Sequence, residues 1–135
     1  MTIGDAASKG FGRRCIVAGS LLMVAGLILG ALGTHLFADR VSARELASYE
    51  TAVLYQLLHA LGLVLVGVLA RSAATAPLRW SARLMGVGIV LFSGSIYLAT
   101  VGAPHWVLSV APTGGLSLMA SWALLALHAI AHGRD

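Results

Sequence analysis

Four stretches of the chain, 15–37, 52–70, 84–101 and 113–131, contain no Asp, Glu, Lys or Arg. Each is close to the ~20 helical residues that cross a hydrocarbon core. A backbone surrounded by lipid must satisfy its own N–H and C=O groups, and only helices and closed barrels do so. Barrel strands are short and alternate apolar with polar side chains; these runs are longer and do not alternate. The pattern predicts an all-α fold, an antiparallel bundle of four transmembrane helices. Composition agrees: 59% of residues are hydrophobic and only 10% are charged, against about a quarter charged in a soluble domain.

The basic residues predict an orientation. Lys9, Arg13 and Arg14 precede the first run, Arg71, Arg79 and Arg83 lie between the second and third, and Arg134 follows the fourth. The other side holds Arg40 and Arg44 beside Asp39, Glu45 and Glu50, and the stretch 102–112 is uncharged. Because cytoplasmic loops carry the excess of Lys and Arg, both termini are expected in the cytoplasm. Residues 1–14 and 132–135 are then tails around a single domain at 15–131. The net charge of +4 flanks apolar runs and forms no patch with interleaved aromatics, so no nucleic-acid partner is expected. The first run exceeds a signal-peptide core and lacks a small-x-small cleavage site, so it is expected to be retained. Cys15 is the single cysteine; it allows no intrachain disulfide or Cys/His zinc spacing and reads as a small buried thiol.

Helix ends are legible too. Ser42-Ala-Arg-Glu45 is a capping box. A helix starting there and running through the second span would be ~42 Å long at 1.5 Å per residue. It would therefore carry an interfacial extension before the span, with Leu46, Tyr49 and Val53 as an apolar stripe. The stretch 71–80 reads as a short inner connection with Trp80 at the interface. Trp106 anchors the outer side. Pro112 suits a helix start with Thr113 as its cap.

Polar residues inside the spans are the candidate site. Tyr55, Gln56 and His59 share one helical face, expected to point into the bundle because unpaired polar groups are costly in lipid. Ser93, Ser95 and Tyr97 on the third span are the expected partners. Two readings follow: the cluster is interhelical glue, or it lines a polar pocket that binds a ligand. Gly26, Gly30 and Gly33 form a face for close helix packing, within the protomer or between protomers. Thr113, Gly114 and Gly115 are a candidate anion or lipid-headgroup site at a helix N-terminus, or admit a neighbouring helix closely. The histidines at 35, 59, 105, 128 and 132 are spread over both ends, and the i, i+4 pair His128 and His132 lacks further ligands nearby, so neither metal nor cofactor is expected. No G-x-S-x-G, P-loop or paired intramembrane carboxylate is present, and Ser93 with His59 lacks an orienting acid. No catalytic residue is therefore assigned.

The motifs "GALGTH", "TAVLYQLLHALGL", "LFSGSIYL" and "PTGGLSLMASW" occur in that order. Together they resemble the domain of unknown function 423 (DUF423) family of YgdD-like small multi-pass inner-membrane proteins, across nearly the whole of 30–127. The family often has Ala at Thr34 and Thr at Ala111. The resemblance implies a bacterial inner-membrane location and four spans, and names no substrate or cofactor. The expected function is a non-enzymatic accessory or scaffolding protein with membrane lipid around it, homo-oligomeric or part of a larger membrane-protein complex. The alternative is a small transporter or lipid-binding or small-molecule-binding protein with its pocket at Gln56 and His59.

Overall fold

The computed structural model describes residues 3–132 and is helical along nearly all of that length. Helix α1 spans Ile3–Leu32 and runs into a single π-helical turn, Gly33–Phe37. Helix α2 spans Ala43–Ala70 and α3 spans Ala76–Thr100. A 3-10 turn at His105–Val110 feeds directly into α4, Ala111–His132. The four resulting helical stretches are each long and apolar enough to cross a membrane. Arg134 and the expected tail beyond His132, like residues 1 and 2, lie outside the described residues.

Local chemistry sets the boundaries. The Ser42 hydroxyl accepts from the Glu45 N–H at 3.3 Å while the Glu45 carboxylate accepts from the Ser42 N–H at 2.9 Å. That completes the capping box expected from the sequence and starts α2 ahead of its apolar run. Pro77 in the first turn of α3 costs no helical bond, since those N–H groups have no partner inside the helix. The far end of α3 closes in a Schellman motif: the Gly102 N–H donates to Ala99 O at 3.1 Å and the Ala103 N–H to Leu98 O at 2.9 Å. Gly102 takes a φ of 94°, which its missing side chain permits.

Three expectations about boundaries are corrected. The segment 4–14 is a continuous part of α1 rather than a separate tail, with Gly12 packed against Gly67 and Arg71 at the end of α2. The connection between α2 and α3 is only 71–75, and Trp80 sits within α3. Thr113 does not cap α4: the 3-10 turn carries the helix back to Ala111 and leaves Thr113 inside it.

The helices pack in chain order, α1 against α2, α2 against α3 and α3 against α4. Half of the most apolar window of α2 is buried, against 17% for α1 and for α4. The central pair thus forms the interior and the outer pair presents Leu21, Leu27, Leu116 and Leu127 outward. One end of the interior is an apolar cluster of Cys15, Leu63, Val66, Leu78 and Met85, with Phe11 and Leu125 against it.

Candidate functional site

Gln56 is at the centre of the polar constellation and is 3% exposed. Its Nε2 donates to Leu22 O on α1 at 2.8 Å, and its Oε1 accepts from the Tyr97 hydroxyl on α3 at 2.9 Å. One side chain therefore ties three helices together. The buried Ser93 hydroxyl adds a second α2–α3 link by donating to Ala52 O at 2.7 Å. Ser95 bonds within its own helix, to Phe92 O.

The residues expected on one inward face divide. His59 is buried, and its Nδ1 lies 2.7 Å from Tyr55 O one turn back. A carbonyl only accepts, so Nδ1 carries the proton there. The Trp122 ring of α4 approaches the imidazole edge-on at 6.0 Å. Tyr55, by contrast, is 38% exposed and is corrected from an inward position to the rim. Its ring stacks on Phe92 of α3 at 4.8 Å, because position 55 is the flank of the stripe that Gln56 centres.

Tyr49 belongs to the same network although the sequence offered it only as part of an apolar stripe. Its hydroxyl donates to Leu29 O on α1 at 2.7 Å, and its ring lies between Phe37 and Tyr97, at 5.4 and 5.2 Å. The signal for it was available: Tyr49 and Gln56 are seven residues apart, two turns along one face. Among the described residues, every buried side-chain nitrogen and oxygen has a hydrogen-bond partner. Gln56, His59, Ser93 and Tyr97 line neither the groove at Lys9, Arg13 and Arg71, nor that at Glu45 and His105, nor the trough at Arg14 and Leu21.

Residues 29–115, more than half of the chain, match the family described as "Protein of unknown function (DUF423)". The chain belongs to the DUF423 family. It is 32% identical to the UPF0382 membrane protein YwdK of Bacillus subtilis, covering 85% of this chain and 94% of that one. It is 33% identical to the UPF0382 inner membrane protein YgdD of Escherichia coli, over 76% and 78%. A UPF0382 membrane protein of Staphylococcus haemolyticus is 32% identical over 82% and 89%. No solved structure matches. With four spanning helices and relatives named as membrane proteins, this DUF423 protein is a small multi-pass membrane protein.

The glycine face of this DUF423 protein is used inside the chain. A Cβ on Gly26 would meet Leu57 Cδ2 at 2.7 Å, one on Gly30 would meet Val53 Cγ1 at 3.3 Å, and one on Gly33 would meet Tyr49 Cε1 at 2.7 Å. All three contacts are with α2. Gly12 and Gly19, missed in the sequence, approach α2 most closely: a Cβ would lie 2.5 Å from Gly67 O and 2.6 Å from Ala60 O. The signal was a seven-residue spacing, 12, 19, 26 and 33, which keeps one residue type on a seam between two helices.

The candidate anion site at Thr113, Gly114 and Gly115 is also corrected. The two glycines are the fourth and fifth residues of α4, and the 3-10 turn His105–Val110 runs straight into that helix, so they lie within a continuous helical stretch rather than at a free N-terminus. Gly114 is buried, and a Cβ there would run into the Phe92 backbone nitrogen of α3. Of the histidines, His128 Nδ1 meets Thr75 Oγ1 at 2.9 Å and His132 Nδ1 meets His128 O at 3.0 Å. No group of three or more His, Cys, Asp or Glu side chains suited to a metal is found among the described residues.

Proposed function

We propose that this protein is a non-enzymatic accessory or scaffolding component of a bacterial inner membrane, with both ends in the cytoplasm. The observation that carries the reading is the enclosure of Gln56. Its Nε2 and Oε1 are each bonded to another helix, and the side chain is 3% exposed and lines none of those surface grooves, so its remaining N–H and lone pair are sealed from a guest. A side chain that binds a transported solute in lipid needs groups that are accessible or hydrated. The outward face of α4 is the surface left to meet other membrane proteins. The basic residues around Lys9, Arg13, Arg14 and Arg71 support cytoplasmic ends.

Photo-crosslinking in native membranes, with a reactive residue at Leu116 or Leu127, tests this reading. The expected result is a discrete protein adduct from this face and none from Gly94, together with native mass spectra free of a bound solute. A small solute retained by the wild type and lost in Gln56→Leu would replace this reading with the pocket reading.

A further inference from the structure

We infer that the protein holds an anionic phospholipid where the start of α1 meets the end of α2, at a site separate from the polar network and independent of the accessory role. A groove of about 530 Å³ there is lined by Lys9, Arg13 and Arg71, with Ile16 and Val17 as its apolar wall. Among the described residues, no acidic side chain lines it. Asp5, one turn before Lys9, is not part of its wall.

The placement of the three cations comes from the helix seam. Gly12 lacks a Cβ where Arg71 crosses α1; a Cβ there would be 2.8 Å from Arg71 Cγ and 3.2 Å from Arg71 N. The Arg71 stem is therefore laid against α1 beside Arg13. Lys9 and Arg13 are one turn apart on one helical face, so one phosphate can accept charge-assisted hydrogen bonds from both and from Arg71.

The surface below identifies the anion as part of an amphiphile. A shallower trough of about 280 Å³ continues from the groove, sharing Arg13 and Val17 and reaching Leu21. Val17, Leu21, Val24 and Ile28 extend the stripe, each more than half exposed. At 1.5 Å per residue Val17 to Ile28 spans ~16 Å, about half of a ~30 Å hydrocarbon core. The cations thus meet the phosphate and the stripe meets acyl chains of the same leaflet.

Full-length protein in detergent is titrated with phosphatidylglycerol or with phosphatidylcholine of the same chains and followed by native mass spectrometry. Phosphatidylglycerol is expected to stay bound while phosphatidylcholine is lost. Arg13→Gln with Arg71→Gln is expected to weaken phosphatidylglycerol about thirtyfold, following the contribution of each basic residue at an anionic surface. Arg40→Gln, at the opposite end, is expected to change nothing. Should the double variant lose its helical circular dichroism, Lys9→Gln on the exposed first turns carries the test, with about a fivefold loss. Equal retention of the two lipids, or unchanged phosphatidylglycerol binding in the folded variants, overturns the site. Displacement by millimolar inorganic phosphate overturns the lipid in favour of a free anion.

Discussion

The α1–α2 and α3–α4 pairs bring helices together by different means. Between α1 and α2, close approach is repeated at Gly12, Gly19, Gly26 and Gly33 along the whole seam, and Gly67 answers from the α2 side, where a Cβ would be 2.8 Å from Gly12 O. Between α3 and α4, backbone-level approach is concentrated where Gly88 faces Leu118 and Gly114 faces Phe92. Below that crossing, hydroxyls reach over instead: Ser81 donates to Ser121 O at 2.8 Å and Ser117 to Leu84 O at 2.8 Å. Lipid tails are as apolar as leucine, so neither pair associates through water exclusion within the spans. The first pair relies on close shape repeated over many turns, with two hydrogen bonds from Tyr49 and Gln56 added to it; the second relies on one close crossing and two hydroxyl bonds. Shape is the less replaceable of the two, because a blocked backbone cannot move aside as a side chain can.

Gly19→Val gives the largest expected effect. Even its Cβ would be 2.6 Å from Ala60 O, so the seam must open, at a cost of about 3 kcal/mol for overpacking. The measurement is unfolding of the full chain in micelles by an SDS titration. Gly94→Val is the matched control, since nothing lies within 4 Å of a Cβ there; it should stay near wild type. Equal losses at the two positions would mean that helix propensity, not the seam, governs the result.

Gln56→Leu should fall next, at about 2 kcal/mol. Two interhelical bonds vanish, each worth ~0.6 kcal/mol on average in a membrane, and the Tyr97 hydroxyl loses its acceptor in a half-buried position, adding ~1 kcal/mol. Tyr97→Phe on the Gln56→Leu background should recover part of the loss, because removing both partners leaves less unpaired than removing one. In the same titration, additive losses would show that the two side chains are not coupled.

How much of this was legible depends on which force sets each feature. The spans were legible because hydrocarbon excludes charge, and the start of α2 because Ser42 and Glu45 satisfy each other locally. The beginnings of α1 and α3 were not, since helix extends past the apolar runs into segments that hydropathy leaves blank. Gly26 and Gly30 are four residues apart, the spacing of a close-packing pair. The seam runs every seven residues instead, and Gly12 lies outside the apolar run. Gln56 was legible as a buried amide in lipid, but its partners are the Leu22 carbonyl and Tyr97, and a backbone carbonyl carries no mark in a sequence. Tyr55 and Gln56 differ by 100° around the helix, a rotation that periodicity assigns to one broad face and packing splits between interior and rim.

Ser117→Ala is the smallest expected effect and tests the α3–α4 half of the comparison. Its hydroxyl reaches the Leu84 carbonyl, which as part of α3 also has a helical donor available. Loss of the serine therefore leaves no orphan donor, and the change should cost ~0.6 kcal/mol, the average for interhelical hydrogen bonds in membranes. Ser81→Ala should cost the same or slightly more, because Ser81 is fully buried and its truncation also leaves a small void. If either serine variant destabilised the chain as much as Gly19→Val, hydroxyl bonds would be the main attachment of α4. The glycine crossing at Gly88 and Gly114 would then be a consequence of those bonds rather than their cause.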